Sequence, residues 1–379
     1  MTMSAAEQGR YGAAFDWLGV ERAWTRTRGN PDVIIAIVDR GVQLDHPLLG
    51  PNIQRDRAHH PASADSHEIA GTHAAGVAAG SASEAESFSG VAPGARLLPV
   101  RFTDEPGVQA SPALDLAHAI EYAVETGACI VNVSHAVDIS RPCVQRAIKY
   151  AATRNALVVC SAAAIPAGRD GVEVLADGVS PNLISVISLR EDLRPISNTQ
   201  GCAAHIAAPG FARVPHWRGS GHNAQVADGI GAAYVSGCAA LIKSLNPGWG
   251  YHEIKEHLLA SANPHAELAG MSQGGRVLHV ANAVLGPIEF AEDIRALTWT
   301  ALNDAELHWK LRYRSALCTT AVALYRPSGD EHWRELAHAR ASTLRMSIPA
   351  SSLRRSSGTL RLACRESNFH CQDVELTIR

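Results

Sequence analysis

The sequence predicts a chain of two domains. The first is an α/β domain with a parallel sheet and helices on both faces, and the second is a C-terminal all-β sandwich. Two observations predict these classes. Continuous apolar runs alternate with helix-like stretches over most of the chain, and short, strictly alternating segments follow from about residue 286. The length of 379 residues agrees with two domains, since one domain usually takes roughly 100–200 residues.

The predicted sheet rests on five apolar runs that are continuous rather than alternating. Continuous runs are typical of strands that are buried on both faces, as in a parallel sheet. The runs occupy residues 33–39, 95–102, 128–134, 156–164 and 183–189. Residues 111–127 and 141–155 space their apolar side chains as helices do, and the first of these stretches starts after a serine cap and stops at a glycine. This alternation of strands and helices predicts that helices cover both faces of the sheet.

The pattern of the chain changes near Gly286. Residues 306–314 alternate strictly and place four apolar side chains on one face, those of Leu307, Trp309, Leu311 and Tyr313. Four more short segments follow, with turn-like stretches such as RPSGDEH between them. Strict alternation over many short strands predicts antiparallel sheets that bury one face, hence a small β-sandwich. The predicted divisions are an N-terminal extension at 1–20, an α/β domain at 21–285 and a β-sandwich domain at 286–379.

The composition excludes several classes of protein. The chain is 46% hydrophobic and 19% charged, with a formal net charge of −3, which excludes a disordered polyelectrolyte. With 34 Lys and Arg against 37 Asp and Glu, and no basic run with interleaved aromatic residues, we predict no nucleic-acid partner. No stretch reaches the roughly 18 uninterrupted apolar residues of a spanning helix, so we also predict no membrane partner.

Cysteine usage and the N-terminal segment both favour a cytoplasmic protein. Eight cysteines are scattered without a CxxC motif and several lie in apolar runs, so we expect buried, reduced thiols. The first fifteen residues hold no basic cluster followed by an apolar run, which a secretory signal would require. We therefore predict a cytoplasmic location.

Five segments of the first domain resemble, in the same order, segments of the subtilisin-like serine proteases, the subtilases. VIIAIVDRGVQLDHPLL resembles the strand and turn of the triad aspartate, and HEIAGTHAAGVAAG resembles the helix of the triad histidine. GVAPGA resembles the family segment that follows this helix. ISNTQGCAAHIAAPG and ADGIGAAYVSGCAALIKSLNPGWG resemble the strand before the serine nucleophile and the helix that carries it. The resemblance runs from about Glu21 to Leu285 and implies a subtilisin-like α/β domain.

The resemblance implies that only one catalytic group of the family remains. Asp39 stands at the position of the triad aspartate. The positions of the triad histidine, the serine nucleophile and the oxyanion asparagine hold Ala70, Gly229 and Ala164. Serine-protease chemistry requires a nucleophile, a base and an oxyanion donor. We therefore predict a pseudoprotease, meaning a protein with the protease fold that does not hydrolyse peptides by this mechanism.

Two alternatives to a pseudoprotease stay open. In the first, the cleft carries different chemistry, with Asp39 and either His73 or His67 as acid and base. His67 qualifies because it lies one helical turn before Ala70, whereas His73 is otherwise interpreted as a buried structural histidine. Tyr234 is a further candidate acid. The second alternative is a residual serine endopeptidase.

The resemblance also implies where a peptide would bind. Subtilases hold an extended peptide between two edges, a mode in which main-chain hydrogen bonds provide affinity. One edge corresponds to Gly107 and Val108, and the other to Ser134, His135 and Ala136. The floor of the main specificity pocket corresponds to three small residues, Ser161, Ala162 and Ala163. The predicted partners are therefore a peptide or an active protease, the latter in a hetero-oligomer.

No metal site and no cofactor are predicted. His59 and His60 are adjacent, so they cannot both face one site on a strand, and they lack the spacing of zinc ligands. The sequence contains neither a phosphate-cradling GxxxxGK[ST] nor a dinucleotide-binding GxGxxG. Many subtilases bind calcium through loop carboxylates and carbonyls, so the resemblance leaves a structural calcium ion open.

Overall fold

The computed structural model describes residues 14–59, 69–81, 89–102, 111–135, 138–164, 180–197, 204–215, 222–290, 297–299, 305–349, 352, 357–371 and 373–378. The chain divides into two compact units, Met1–Ala281 and Asn282–Arg379. Within these described ranges, no helix combines the length and the hydropathy that crossing a membrane requires.

The strands of the first unit are β1 (Ile34–Asp39), β2 (Arg96–Arg101), β3 (Ile130–Val133), β4 (Leu157–Ser161), β5 (Leu183–Leu189), β6 (Ile206–Pro209), β7 (Phe211–Pro215), β8 (His222–Val226), β9 (Asn263–Pro264) and β10 (Arg276–Val277). Eight of them form one sheet in the order β2-β1-β3-β4-β5-β6-β10-β9. Every pairing in it is parallel except β9 with β10. The five apolar runs form β1 to β5, and β3, β4 and β5 are buried along their whole length. The predicted parallel sheet is confirmed.

The helices are α1 (Val20–Trp24), α2 (Ile69–Ala79), α3 (Pro112–Glu125), α4 (Pro142–Thr153), α5 (Asp228–Leu245), α6 (Tyr251–Ser261) and α7 (Val280–Leu285). Helices α3 and α4 cover one face of the sheet, where they share an apolar cluster with Val38 of β1. Helix α2 packs on the other face, because its Gly71 meets Asp39, whose side chain points opposite to that of Val38. Helix α5 lies on the same face as α2, with Gly231 against β5. Helices thus cover both faces, as predicted.

The strands of the second unit are β11 (Ile288–Phe290), β12 (Leu297–Trp299), β13 (Ala305–Leu311), β14 (Thr320–Pro327), β15 (Arg334–Arg340), β16 (Arg345–Ile348), β17 (Gly358–Cys364) and β18 (Val374–Ile378). They form two sheets, β11-β13-β16 and β12-β18-β17-β14-β15. Neighbouring strands are antiparallel except β12 with β18. Leu307 and Trp309 are both buried, as their shared face predicts, and Nε1 of Trp309 donates a hydrogen bond to the carbonyl oxygen of Ala341 at 2.8 Å. The predicted C-terminal all-β fold is confirmed.

The cysteines correct one prediction. Cys318 and Cys364 form a disulfide bond, so the expectation of reduced thiols is wrong for this pair. The two residues meet because β14 pairs with β17, which places Cys364 opposite Ala321, three residues after Cys318. Their sequence separation of 46 residues hides this proximity in the sequence. The other cysteines in the described ranges are free thiols, namely Cys129, Cys143, Cys160, Cys238 and Cys371.

Candidate functional site

Asp39 ends β1 at the carboxyl edge of the parallel sheet. This edge is where open α/β sheets usually bind ligands. The side chain is only 1% exposed, and its Oδ1 accepts a hydrogen bond from the backbone N–H of Arg40 at 2.8 Å. Burial of a carboxylate is unfavourable unless hydrogen bonds and charges offset it. The backbone at the end of β1 therefore helps to hold this carboxylate in place.

The first turn of α2 abuts Asp39 and carries Ala70, the residue at the predicted histidine position. Gly71 allows the close approach, because a Cβ at Gly71 would lie 2.9 Å from the Cβ of Asp39 and 2.1 Å from the carbonyl oxygen of Gly41. Ala70 directly precedes Gly71 and is exposed. The structure therefore brings the predicted histidine and aspartate positions together, but the first carries a methyl group without acid–base chemistry.

His73, one of the two candidate replacement bases, is half-buried and lies three residues after Ala70 on α2. Its neighbour Thr72 anchors this turn, since its Oγ1 accepts a hydrogen bond from the backbone N–H of Gln43 at 2.9 Å. The other candidate, His67, lies outside the described residues. Of the two, the structure places only His73.

Gly229, the residue at the predicted nucleophile position, lies in the first turn of α5 and packs directly on the end of β3. A Cβ at Gly229 would lie 2.8 Å from the Cβ of Ser134 and 2.9 Å from its carbonyl oxygen. Real Cβ atoms essentially never come within 3.0 Å of such neighbours. The two contacted atoms are the Cβ and the backbone carbonyl oxygen of Ser134, so no side-chain rotation can move either of them away. A side chain at this position requires a shift of β3 or α5.

Ser134 is held in this place by a chain of hydrogen bonds. Its Oγ donates to the carbonyl oxygen of Gly229 at 3.1 Å and accepts from Nδ2 of Asn132 at 2.7 Å. Oδ1 of Asn132 accepts in turn from Oγ of Ser236 at 3.0 Å. Asn132 and Ser236 are both fully buried. A hydroxyl becomes a nucleophile only when a base can take its proton, and neither bonding partner of Ser134 is a base.

Asn132 is the site residue that sequence reasoning missed. It lies in the middle of β3 and connects Ser134 with Ser236 of α5. One signal could have found it, because Asn132 is a polar residue inside the apolar run ACIVNVS. Buried polar side chains are almost always hydrogen-bonded, so its position in a strand indicates a partner on a neighbouring element.

Asp228 places a carboxylate at the start of α5, directly before Gly229. Its Oδ2 accepts a hydrogen bond from Oγ of Ser197, and its carbonyl oxygen accepts one from Oγ of Ser188. Oγ of Ser188 also accepts from the backbone N–H of Gly231 at 3.1 Å. A negative charge in the first turn is favourable for the helix. The same charge would oppose an oxyanion that develops at this end of the helix.

Tyr234 and Cys160 are unsuited to acid–base or nucleophilic roles because both are buried. Tyr234 is 1% exposed, and its hydroxyl donates to the carbonyl oxygen of Phe211 at 3.2 Å. Burial raises the pKa of Tyr234. Burial likewise raises the pKa of the Cys160 thiol, to about 12. Both groups therefore stay protonated near neutral pH and belong to the core.

The residues predicted to line the two peptide-binding edges are only partly described. Ser134 and His135 directly follow β3, and the ring of His135 lies 5.9 Å from the ring of Phe102 at an interplanar angle of 57°. Three other predicted residues lie outside the described ranges, namely Gly107, Val108 and Ala136. The described part of the two edges is therefore the short stretch at the end of β3.

The predicted pocket floor lies at the end of β4, next to β3. Ser161 and Ala162 are each 1% exposed, and the N–H of the half-buried Ala163 donates to Oγ of Ser161 at 3.3 Å. Ala164, at the predicted oxyanion position, ends the short 3-10 helix Ala162–Ala164. Because β3 pairs in parallel with β4, the stretch after β3 and this floor meet at one edge of the sheet.

Within the part of the chain that the structure describes, no group of three or more His, Cys, Asp or Glu side chains could hold a metal ion. The ring of His59 instead lies 4.5 Å from that of Tyr122, and His60 lies outside the described ranges.

Comparisons with known proteins place the first unit in a protease family. The family model described as the subtilase family, peptidase S8, matches residues 30–286. The thermophilic serine proteinase of Bacillus sp. (strain AK1) is 30% identical over 263 residues, 67% of this chain and 62% of that protein. Halolysin of Haloferax mediterranei is 31% identical over 293 residues, 74% of this chain and 54% of that protein. The chain therefore spans less than two thirds of the length of these two relatives.

Solved structures with the same fold include two other proteases. The MycP3 protease from the type VII (ESX-3) secretion system is 25% identical with a TM-score of 0.54, over 72% of this chain and 87% of that chain. The prenylagaramide maturation protease PagA is 24% identical with a TM-score of 0.53, over 70% of this chain and 97% of that chain. These likenesses confirm the predicted subtilisin-like fold.

Proposed function

The chain belongs to the subtilase family, and from this premise we propose that it is a pseudoprotease that binds an extended peptide without hydrolysing it. One observation carries the proposal, namely the packing of Gly229 against Ser134 at the nucleophile position. A serine in place of Gly229 would bring its Cβ to 2.8 Å from the Cβ of Ser134. The packing around this position therefore leaves no room for a side chain.

Two neighbouring features support the absence of hydrolysis. Ala70 supplies no imidazole at the position of the triad histidine. Loss of a triad member leaves only about 10³–10⁴-fold catalysis over water, and that remainder depends on the oxyanion hole and on binding. The carboxylate of Asp228 lies at the helix end where an oxyanion would develop. Its negative charge would weaken the residual catalysis further.

Peptide binding is supported by the geometry of the sheet edge. An added strand binds through main-chain hydrogen bonds and places alternate side chains in pockets, and neither contribution uses the triad. The stretch at Ser134 and His135 lies beside the small residues at the end of β4. A peptide side chain could therefore be received at this edge while its backbone pairs with the stretch after β3.

The first experiment tests hydrolysis. The full chain is incubated with denatured casein and with a fluorophosphonate probe, and we expect neither cleavage nor labelling. The variant Ala70→His with Gly229→Ser should stay unreactive, because the Cβ of Ser134 still meets position 229. Adding Ser134→Gly to this variant removes the contact with the Cβ of residue 134 but leaves the contact with its carbonyl oxygen, and it serves as the matched comparison for the first of these contacts. Cleavage or labelling by the unmodified chain would refute the pseudoprotease.

The second experiment tests peptide binding. Titration calorimetry against a library of extended peptides should find ligands of about micromolar affinity. Ala163→Leu, which enlarges a half-buried floor residue, should weaken binding, and Ala163→Gly is the control that leaves the floor open. If no peptide binds while a pull-down returns an active protease, the chain is a scaffold for that protease and the peptide-binding proposal is wrong.

A further inference from the structure

Helices α3 and α4 lie on one face of the sheet in a common apolar cluster, and they carry charges of opposite sign. Helix α3 contains three acidic residues and neither Lys nor Arg, and we name its acidic residues the acidic stripe: Asp115, Glu121 and Glu125. Residues 141–154 contain four cations and no acid, and we name these the basic stripe: Arg141, Arg146, Lys149 and Arg154. The two stripes therefore form one surface with a negative half and a positive half.

The charged side chains of this surface are accessible. Glu125 and all four residues of the basic stripe are exposed, and Asp115 and Glu121 are half-buried. Glu121 and Glu125 are four residues apart, and Arg146 and Lys149 are three apart, so each pair shares one helix face. The buried residues of both helices lie on the opposite sides, toward the sheet.

The two stripes do not neutralise each other within the molecule. Among the described residues, no ion pair joins Glu121 or Glu125 to a cation of the basic stripe. Glu125 instead accepts a hydrogen bond from the hydroxyl of Tyr150 at 3.1 Å. The charges of Glu121, Glu125 and the basic stripe thus remain available to a partner.

We propose that this surface binds a second copy of the chain around a two-fold axis that runs along the helices, between α3 and α4. This axis lays the acidic stripe of each copy over the basic stripe of the other. A two-fold axis across the helices would instead oppose like charges. A surface that carries both signs side by side is complementary to itself, which identifies a second copy as the occupant.

The size of the surface predicts a weak dimer. Helices of this length span about 18–21 Å, and two of them offer a total buried area near the roughly 1,200 Å² lower limit of stable interfaces. Leu114 is 42% exposed, and the half-buried Tyr122 and Tyr150 add aromatic contacts of the kind that interfaces favour. Exposed charges are screened by salt. The dissociation constant of the dimer should therefore rise roughly tenfold or more when added salt lowers the Debye length to about 4 Å.

Sedimentation velocity over a concentration series of the full chain tests the proposal. The unmodified chain should dimerise at low salt and dissociate at high salt. Arg146→Glu with Lys149→Glu leaves acidic side chains at the reversed positions of α4 and at Glu121 and Glu125 of α3, and Glu121→Lys with Glu125→Lys leaves basic side chains at the corresponding positions of both helices. Like charges then meet across the two-fold axis at these positions, so each variant should be monomeric alone. A mixture of the two variants should form a heterodimer, because opposite charges then meet at both contacts.

The charge-preserving exchange Arg146→Lys with Lys149→Arg is the control and should still dimerise. The substituted side chains are exposed except for the half-buried Glu121, so the circular dichroism of each variant should match that of the unmodified chain. A chain that stays monomeric at every concentration, or a dimer that tolerates both charge reversals, overturns the proposal. If the chain is monomeric and its two stripes are instead needed to bind an active subtilase, the proposal is overturned as well, because the partner is then a different protein.

Discussion

Among single residues, Gly229 packs closely on Ser134 at the candidate site, and a substitution that adds one carbon atom tests this packing. Alanine is ordinarily about 1 kcal/mol better than glycine inside a helix. At Gly229 the added Cβ would instead meet the Cβ and carbonyl oxygen of Ser134, and forced overpacking costs typically about 1–3 kcal/mol. We therefore expect Gly229→Ala to lower the free energy of unfolding, measured by urea denaturation.

Gly248 offers the matched control for this substitution. A Cβ at Gly248 would find no heavy atom within 4 Å, so Gly248→Ala should change stability by less than about 0.5 kcal/mol. An unchanged stability of the Gly229→Ala variant would show that α5 does not press on β3 as described. That result would also remove the main support for the pseudoprotease.

The hydroxyl of Ser236 should matter for stability although it is remote from solvent. Ser236→Ala removes the donor to Oδ1 of the buried Asn132, and an unsatisfied buried acceptor costs about 1–3 kcal/mol. The control is Ser244→Ala in the same helix, whose half-buried hydroxyl donates to the backbone carbonyl of Ala240. Its loss should cost less, because water can replace it. Equal destabilisation of the two variants in urea denaturation would contradict the buried chain of hydrogen bonds.

What replaces a catalytic group is harder to predict from a sequence than which group is missing. The assignment of Ala70 and Gly229 to triad positions required only short local motifs. The pairing of Asn132 with Ser236 spans 104 residues and exists because α5 packs on β3. The sequence shows a polar residue in an apolar strand, but only the packing shows which hydroxyl bonds it.

Among the secondary-structure elements, the turn after β17 predicts a pH dependence. Glu366 accepts hydrogen bonds from the backbone N–H groups of Thr319 and Thr320 and from Oγ1 of Thr319. Burial alone would raise the pKa of Glu366, but these hydrogen bonds outweigh it and lower the pKa to about 2. The ordinary value is 4.5, so the carboxylate stabilises the fold above that pH, and the contribution fades as the pH falls toward 2.

Glu366→Gln tests this dependence through melting temperatures measured between neutral and acidic pH. The variant should be less stable than the unmodified chain at neutral pH, and the difference should shrink as the pH falls below the ordinary carboxyl value. Glu331→Gln, at an exposed residue in the loop after β14, is the control for the exchange of glutamate for glutamine. A difference at Glu366 that does not vary with pH would contradict the hydrogen-bonded carboxylate.

Strands with a continuous apolar pattern could be predicted from the sequence, whereas strands of mixed composition could not. The strands β1 to β5 are continuous apolar runs, which local composition reveals. The pair β7 and β8 escaped prediction because Phe211–Pro215 and His222–Val226 mix polar and apolar residues without a clear period. Such strands are specified by their tertiary surroundings rather than by their own pattern.

For the whole molecule, the disulfide bond bears on the predicted location of the chain. The cytoplasmic prediction rested partly on reduced thiols, and the bond between Cys318 and Cys364 contradicts that support. Disulfides persist mainly in oxidising compartments. The location therefore stays a prediction, and the sequence could not reveal the disulfide bond because cysteine spacing alone does not show which cysteines meet.

The division into two units predicts two separate unfolding transitions, of which only one depends on the disulfide. Each unit has its own buried core, and the bond closes a loop of 46 residues in the second unit alone. A disulfide of this kind stabilises by about 2–4 kcal/mol, mainly by restricting the unfolded chain. In differential scanning calorimetry of the full chain, a reductant or Cys318→Ser should lower one transition and leave the other in place. Cys143→Ser in the first unit, measured as the control, should not lower that same transition, and a single transition that moves as a whole with reductant would contradict the independence of the two units.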